Sequence, residues 1–113
     1  MVGKPPLARS AALEAYAAQG AMIDTLAMQA HKHFSDTGGG GIAYAENECP
    51  SWLGWSLGPG DTIQSVVADC FALMWAEGPG GGHYENIIGN YAKLGCGIYV
   101  SGSAITITQD YGP

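Results

Sequence analysis

Histidine is scarce in this chain: His31, His33 and His83 are the only three among 113 residues. Two of them close one helix-like segment, and the third follows another, directly behind the glycine run "GPGGG" at 78–82. Two carboxylates stand where they can join them, Glu77 at a helix end and Glu46 just after a short strand-like stretch. Two imidazoles and two carboxylates around one cleft can hold zinc and keep a coordination position open for water. The same four groups can serve as an acid–base set without metal. A plainer alternative is that His33 and His83 are separate surface residues, and spacing alone leaves it open. His31 and His33 are two positions apart and point about 200° from each other on a helix, so one helical site cannot take both. His31 falls near the apolar stripe and is expected to pack; His33, at the frayed end, is freer to turn inward.

Other chemistries find less support. There is no H-E-x-x-H and no P-loop,. Cys70 sits on an apolar stripe, where an inert thiol or a disulfide is expected rather than a nucleophile. The three cysteines, Cys49, Cys70 and Cys96, have no C-x-x-C spacing, which argues against a cysteine zinc site,. One disulfide plus one buried thiol, or three free thiols, both satisfy the count. Glu85 and Asn86 are expected on a helix surface.

The elements that must position these groups follow from periodicity. A long helix is expected from Ser10 to His33, capped by Ser10, with Leu13, Tyr16, Ile23, Leu26, Ala27, Ala30 and Phe34 as its apolar stripe,. Gly20 weakens it, and "SDTGGGG" ends it,. Ile42 to Ala45 forms a short strand. Asp61 caps a second helix whose stripe runs Ile63, Val66, Val67, Cys70, Phe71, Met74 and Trp75, stopped by Gly78-Pro79,. "HYENIIGN" makes a short helix, and "KLGCGIYVSG" with "SAITITQDYG" makes a hairpin turning at "SGS",. The result is one α+β domain over 1–113, with helices packed on a small antiparallel sheet.

Composition removes several function classes. Ten acidic residues against four scattered basic ones give a net charge of −6. Nucleic acid and polybasic lipid attachment both need concentrated positive charge, so neither is expected. No apolar run approaches about 18 residues, so no membrane span is expected. The start "MVGKPPLARS" lacks the apolar core of a signal peptide, which fits either an intracellular protein or a mature or trimmed chain with an added Met1,.

From residue 5 to 112 the chain resembles the CAP superfamily of cysteine-rich secretory, antigen 5 and pathogenesis-related class one proteins, including bacterial members. The likeness lies in "PPL" at 5–7, "AEN" at 45–47, "MWAE" at 74–77, "GHY" at 82–84, "LGCG" at 94–97 and the closing "QDYG". The resemblance implies an α-β-α sandwich, here without the family's first helix, and a cleft of His33, Glu46, Glu77 and His83. It implies zinc or another divalent metal on His33 and His83, with Glu46 and Glu77 lining the cleft. It also implies a secreted, extracellular binding module for a lipid, a sterol or a protein partner at the cell surface. The rival is a zinc-dependent hydrolase, with Glu46 or Glu77 as its base. Cys96 matches a family cysteine whose usual downstream partner is missing, so the resemblance favours Cys49–Cys70 as the disulfide. "GHYEN" places Glu85 near the site.

Overall fold

The computed structural model describes residues 7–113. Pro5 and Pro6 of the "PPL" segment lie outside the described residues, while Leu7 packs against the core. The elements run β1 (Ala8–Arg9), α1 (Ala11–Ala27), α2 (Lys32–Thr37), β2 (Ala45–Cys49), α3 (Ile63–Ala76), α4 (Gly82–Ile87), β3 (Lys93–Ser101) and β4 (Ala104–Gly112). Four strands form one sheet in the order β1-β3-β4-β2. The β3–β4 hairpin and the β4–β2 pair are antiparallel, whereas the two-residue β1 joins β3 in parallel.

The sheet has two dressed faces. Ala45 and Cys49 of β2, with Ile105, Ile107 and Tyr111 of β4, meet Val66, Cys70 and Met74 of α3. The opposite face meets α1. Helix, sheet and helix make the α-β-α sandwich expected from the sequence, with both layers closing on β4, whose residues 105–112 are all buried.

The two long helices bury their faces by different means. On α3 the expected stripe packs inward through Val66, Cys70 and Met74. On α1 the buried positions are Leu13, Ala17, Gly20, Ala21 and Asp24, a face of mostly small residues, while Leu26 is 71% exposed. The cause lies across the interface. Gly95 and Gly97 of β3 sit under α1, and a Cβ on Gly97 would come within 2.0 Å of the Ala18 nitrogen. With no side chains between them, helix and sheet approach backbone to backbone.

Three boundaries differ from the periodic expectation. The first helix ends at Ala27, because Met28 turns left-handed (φ 51°) and its N–H caps the Asp24 and Thr25 carbonyls. Beyond it the Asp24 carboxylate accepts the His33 N–H at 2.9 Å and folds the chain back into α2. The second helix is capped by Thr62 in a reciprocal box with Ser65. Asp61 instead accepts from Gly58 N–H in the preceding turn. The early strand begins at Ala45, where Ile42–Ala45 had been expected to form it, so "AENEC" is the paired segment.

Cys49 and Cys70 form a disulfide that ties β2 to α3. Cys96 is the free thiol, and it is exposed where a buried one was expected. The bridge spans a sequence separation of 21. For a closed loop of that size, chain entropy predicts a contribution of about 3 kcal/mol. A Cys49→Ala/Cys70→Ala variant is therefore expected to lose about 3 kcal/mol of unfolding free energy in a urea titration. A loss below about 1 kcal/mol would mean that the unfolded chain is already held compact there.

Candidate functional site

Strand alternation decides which β2 side chains share a site. Cys49 is bonded into α3, and Ala45 packs in the same layer. Glu46 and Glu48, one position out of phase, therefore face the α1 layer. On β4 the matching positions are Asp110, directly across from Glu46, and Thr108, directly across from Glu48. Asp24 of α1 is buried on that side too. Four carboxyl groups thus gather between the first helix and the sheet.

His31 closes the group from above. It lies outside both helices, left-handed at φ 60°, as the residue before α2. Its Nδ1 is 2.7 Å from Glu46 Oε2, and its backbone N–H donates to Glu48 Oε1 at 3.1 Å. Thr108 Oγ1 donates to Glu48 Oε2 at 2.7 Å. The ligand atoms of His31, Glu46 and Glu48 lie within 4.8 Å of one another, so the three can hold a metal ion,. Among the described residues this is the one such group of three.

The electrostatics match that crowding. Burial pushes the Glu48 carboxyl well above the ordinary range, and its hydrogen bond to Asp24 pushes it further,. Burial does the same to Asp110, reinforced by its hydrogen bond to Glu46. Glu46 is also raised by burial, but accepting that bond from Asp110 pulls it part of the way back. The pattern is two acid pairs, Asp110 with Glu46 and Glu48 with Asp24, in which one carboxyl holds a proton for the other. Apart from the protons shared within these pairs, Glu46 Oε1, both Asp110 oxygens and Asp24 Oδ2 are buried without a hydrogen-bond partner. Such groups are costly to bury unless something positive compensates them.

The four residues expected in one cleft separate. Glu46 belongs to the group just described, but its histidine is His31, not His33. His33 is buried: its ring packs on Tyr16 with centroids 4.6 Å apart and lies over Gly20. The premise that His31 and His33 ride one helix fails with the helix break at Met28, and the break exchanges their roles.

Glu77 and His83 form a second pair on the turn from α3 to α4. His83 Nδ1 is 2.6 Å from Glu77 Oε2, and the His83 backbone N–H donates to Glu77 Oε1 at 3.1 Å. Both side chains are more than a third or close to a third exposed, at 40% and 33%. The hydrogen bond from His83 holds the Glu77 carboxyl below its usual range. Glu85 braces the glycine turn by accepting Gly80 N–H at 3.1 Å. The link to β2 runs through amides: Asn47 donates to the His83 carbonyl at 3.1 Å, and Asn86 donates to Asn47 Oδ1 at 2.8 Å. Asn47 faces the α3 layer and Glu46 the α1 layer, so β2 stands between the two histidine–glutamate pairs.

Sequence reasoning missed Glu48, Asp24, Asp110 and the Asn47–Asn86 contact. The signal for Glu48 was present in its spacing from Glu46, since residues two apart in a strand share a face. Placing the strand three residues early hid it.

The family model for the cysteine-rich secretory protein family, CAP, matches residues 1–111. No curated protein and no solved structure matches the chain significantly.

Proposed function

Because the chain belongs to the cysteine-rich secretory protein family, we propose that it acts as an extracellular binding module that holds a divalent cation, zinc foremost, on His31, Glu46 and Glu48. The observation that carries this reading is the convergence of three ligand atoms within 4.8 Å, beside buried carboxyl oxygens whose only partners are other carboxyls. Neutral imidazole and carboxylate are both competent zinc ligands. The disulfide fits an oxidising compartment,. Among the described residues no helix is long and apolar enough to cross a membrane. The partner is a lipid, a sterol or a cell-surface protein, met through the exposed surface that carries Glu77 and His83.

Binding is favoured over hydrolysis by the placement of the carboxylates. A zinc hydrolase needs a free base beside an open metal position. Glu46 is occupied by His31 and Asp110, and Glu77 lies across the strand with its own histidine. Neither stands ready as that base.

Calorimetric titration of zinc into the metal-free protein tests the reading. One-to-one binding is expected, weakened about 100-fold or more in His31→Ala and unchanged in His83→Ala. Absence of binding by the unaltered protein would leave the cluster as an acid network and refute the cation. Equal binding by His31→Ala would place any metal elsewhere.

A further inference from the structure

Resting on that reading, we propose that Asp110 is a fourth ligand of the cation, so that the site is His31, Glu46, Glu48 and Asp110 and draws on two neighbouring strands as well as the loop after α1. Register makes the placement: Asp110 is the residue directly opposite Glu46 in the β4–β2 ladder. Side chains directly opposite in an antiparallel pair start about 5 Å apart on the same face. Asp110 is fully buried on the α1 side. Its hydrogen-bond partner is another carboxyl, Glu46, and Asp24 and His31 are the other charged groups that act on it. Apart from the proton shared with Glu46, neither of its oxygens has a hydrogen-bond partner, and the same holds for Glu46 Oε1.

The other members of the cluster are engaged differently. Glu48 spends one oxygen on the His31 N–H and the other on Thr108. Asp24 spends one oxygen on the His33 N–H, which fixes the turn that delivers His31. Asp24 is therefore a positioning residue for the histidine. Asp110 holds no turn and caps no helix. Of the four buried acids it is the one whose oxygens have no partner beyond a neighbouring carboxyl. It stands outside the three-residue group within 4.8 Å, so it joins the ion by turning its carboxyl from Glu46 toward the site. One imidazole and three carboxylates fill the four positions of a tetrahedral structural site. That composition describes a closed site, which suits retention of the ion rather than turnover at it.

The test is zinc titration of Asp110→Asn beside the unaltered protein, with carbon-13 NMR of the carboxyl carbons assigned through each residue's own Cβ. Asparagine keeps the shape of the side chain and removes its charge. The expected result is a fall in zinc affinity of about 10–100-fold in the variant. In the unaltered protein zinc should shift the carboxyl carbons of Glu46, Glu48 and Asp110 together. Shifts confined to Glu46 and Glu48, or zinc affinity unchanged in Asp110→Asn, would overturn the fourth ligand and leave the three-residue site standing. Should the variant fail to fold, the carboxyl shifts of the unaltered protein decide alone. No zinc binding by the unaltered protein would remove the three-residue reading itself, and the fourth ligand with it.

Discussion

Gly97→Ala is expected to yield no folded protein at ordinary temperature. The added methyl would come within 2.0 Å of the Ala18 nitrogen and 2.2 Å of the Ala17 carbonyl carbon. Both belong to helix backbone, which cannot rotate aside as a side chain could. Relief requires lifting α1 off the sheet, and that opens the layer in which Leu13, Ala17 and Ala21 are buried. The cost is about 4 kcal/mol or more, comparable with the whole stability of a small domain. Gly102→Ala is the control. It sits at φ 62° in the hairpin turn with nothing within 4 Å of the added Cβ. Its cost is backbone strain alone, about 1 kcal/mol. Circular dichroism melting of the two variants gives the comparison, and a folded Gly97→Ala with a near-normal midpoint would contradict the close helix–sheet approach.

The second large effect concerns pH. Folding raises Glu46 to about 7, and Glu48 and Asp110 to about 9. Unfolded carboxyls titrate near about 4. Between those limits the folded chain holds protons that the unfolded chain has released, so stability falls as pH rises. From these groups the metal-free protein is expected to be most stable at about pH 4 and to lose stability steadily toward about pH 9,. This runs against ordinary salt-bridged carboxylates, which favour the fold as pH rises. Within this chain Glu77, lowered by His83, acts in that opposite sense, but it is exposed and its contribution is small,. Urea unfolding at pH 5, 7 and 9 in the presence of chelator measures the slope. Glu48→Gln should flatten it, since an amide has nothing to release. A metal-free protein whose stability rises over the same range would mean that the acid pairs do not share protons.

Much of the fold was legible because its cause is local. The stripe of α3 is written in residues three and four apart, and the final hairpin in two alternating runs around a glycine turn. The face of α1 was not, because its packing depends on Gly95 and Gly97, some eighty residues downstream. Periodicity of large apolar residues pointed to Leu26, which is exposed, while Ala17 and Ala21 carry the contact. The break after Ala27 has the same character. No glycine or asparagine stands there, and the turn is held by Asp24 reaching His33 and by Glu48 reaching His31.

At the site, residue chemistry selected Glu46, Glu77 and His83 as reactive types, and it foresaw a histidine near the end of the first helical segment. What it could not supply was parity. A helix running through His33 would turn that residue inward, and a strand ending at Ala45 leaves Glu46 and Glu48 without a defined face. With the strand at Ala45–Cys49, both carboxylates fall on one side, and Asp110 joins them by register.

The disulfide has a meaning for the site that its position in the other layer conceals. Cys49 belongs to the same strand as Glu46 and Glu48, and its bond to α3 fixes the odd-numbered residues of that strand toward α3. Sliding β2 by a single residue would send Asn47 and Cys49 to the acidic face and strand the two glutamates against Val66 and Met74. The bond works as an index pin: oxidation on one side of the sheet fixes the phase of the strand and, with it, which charges the other side receives.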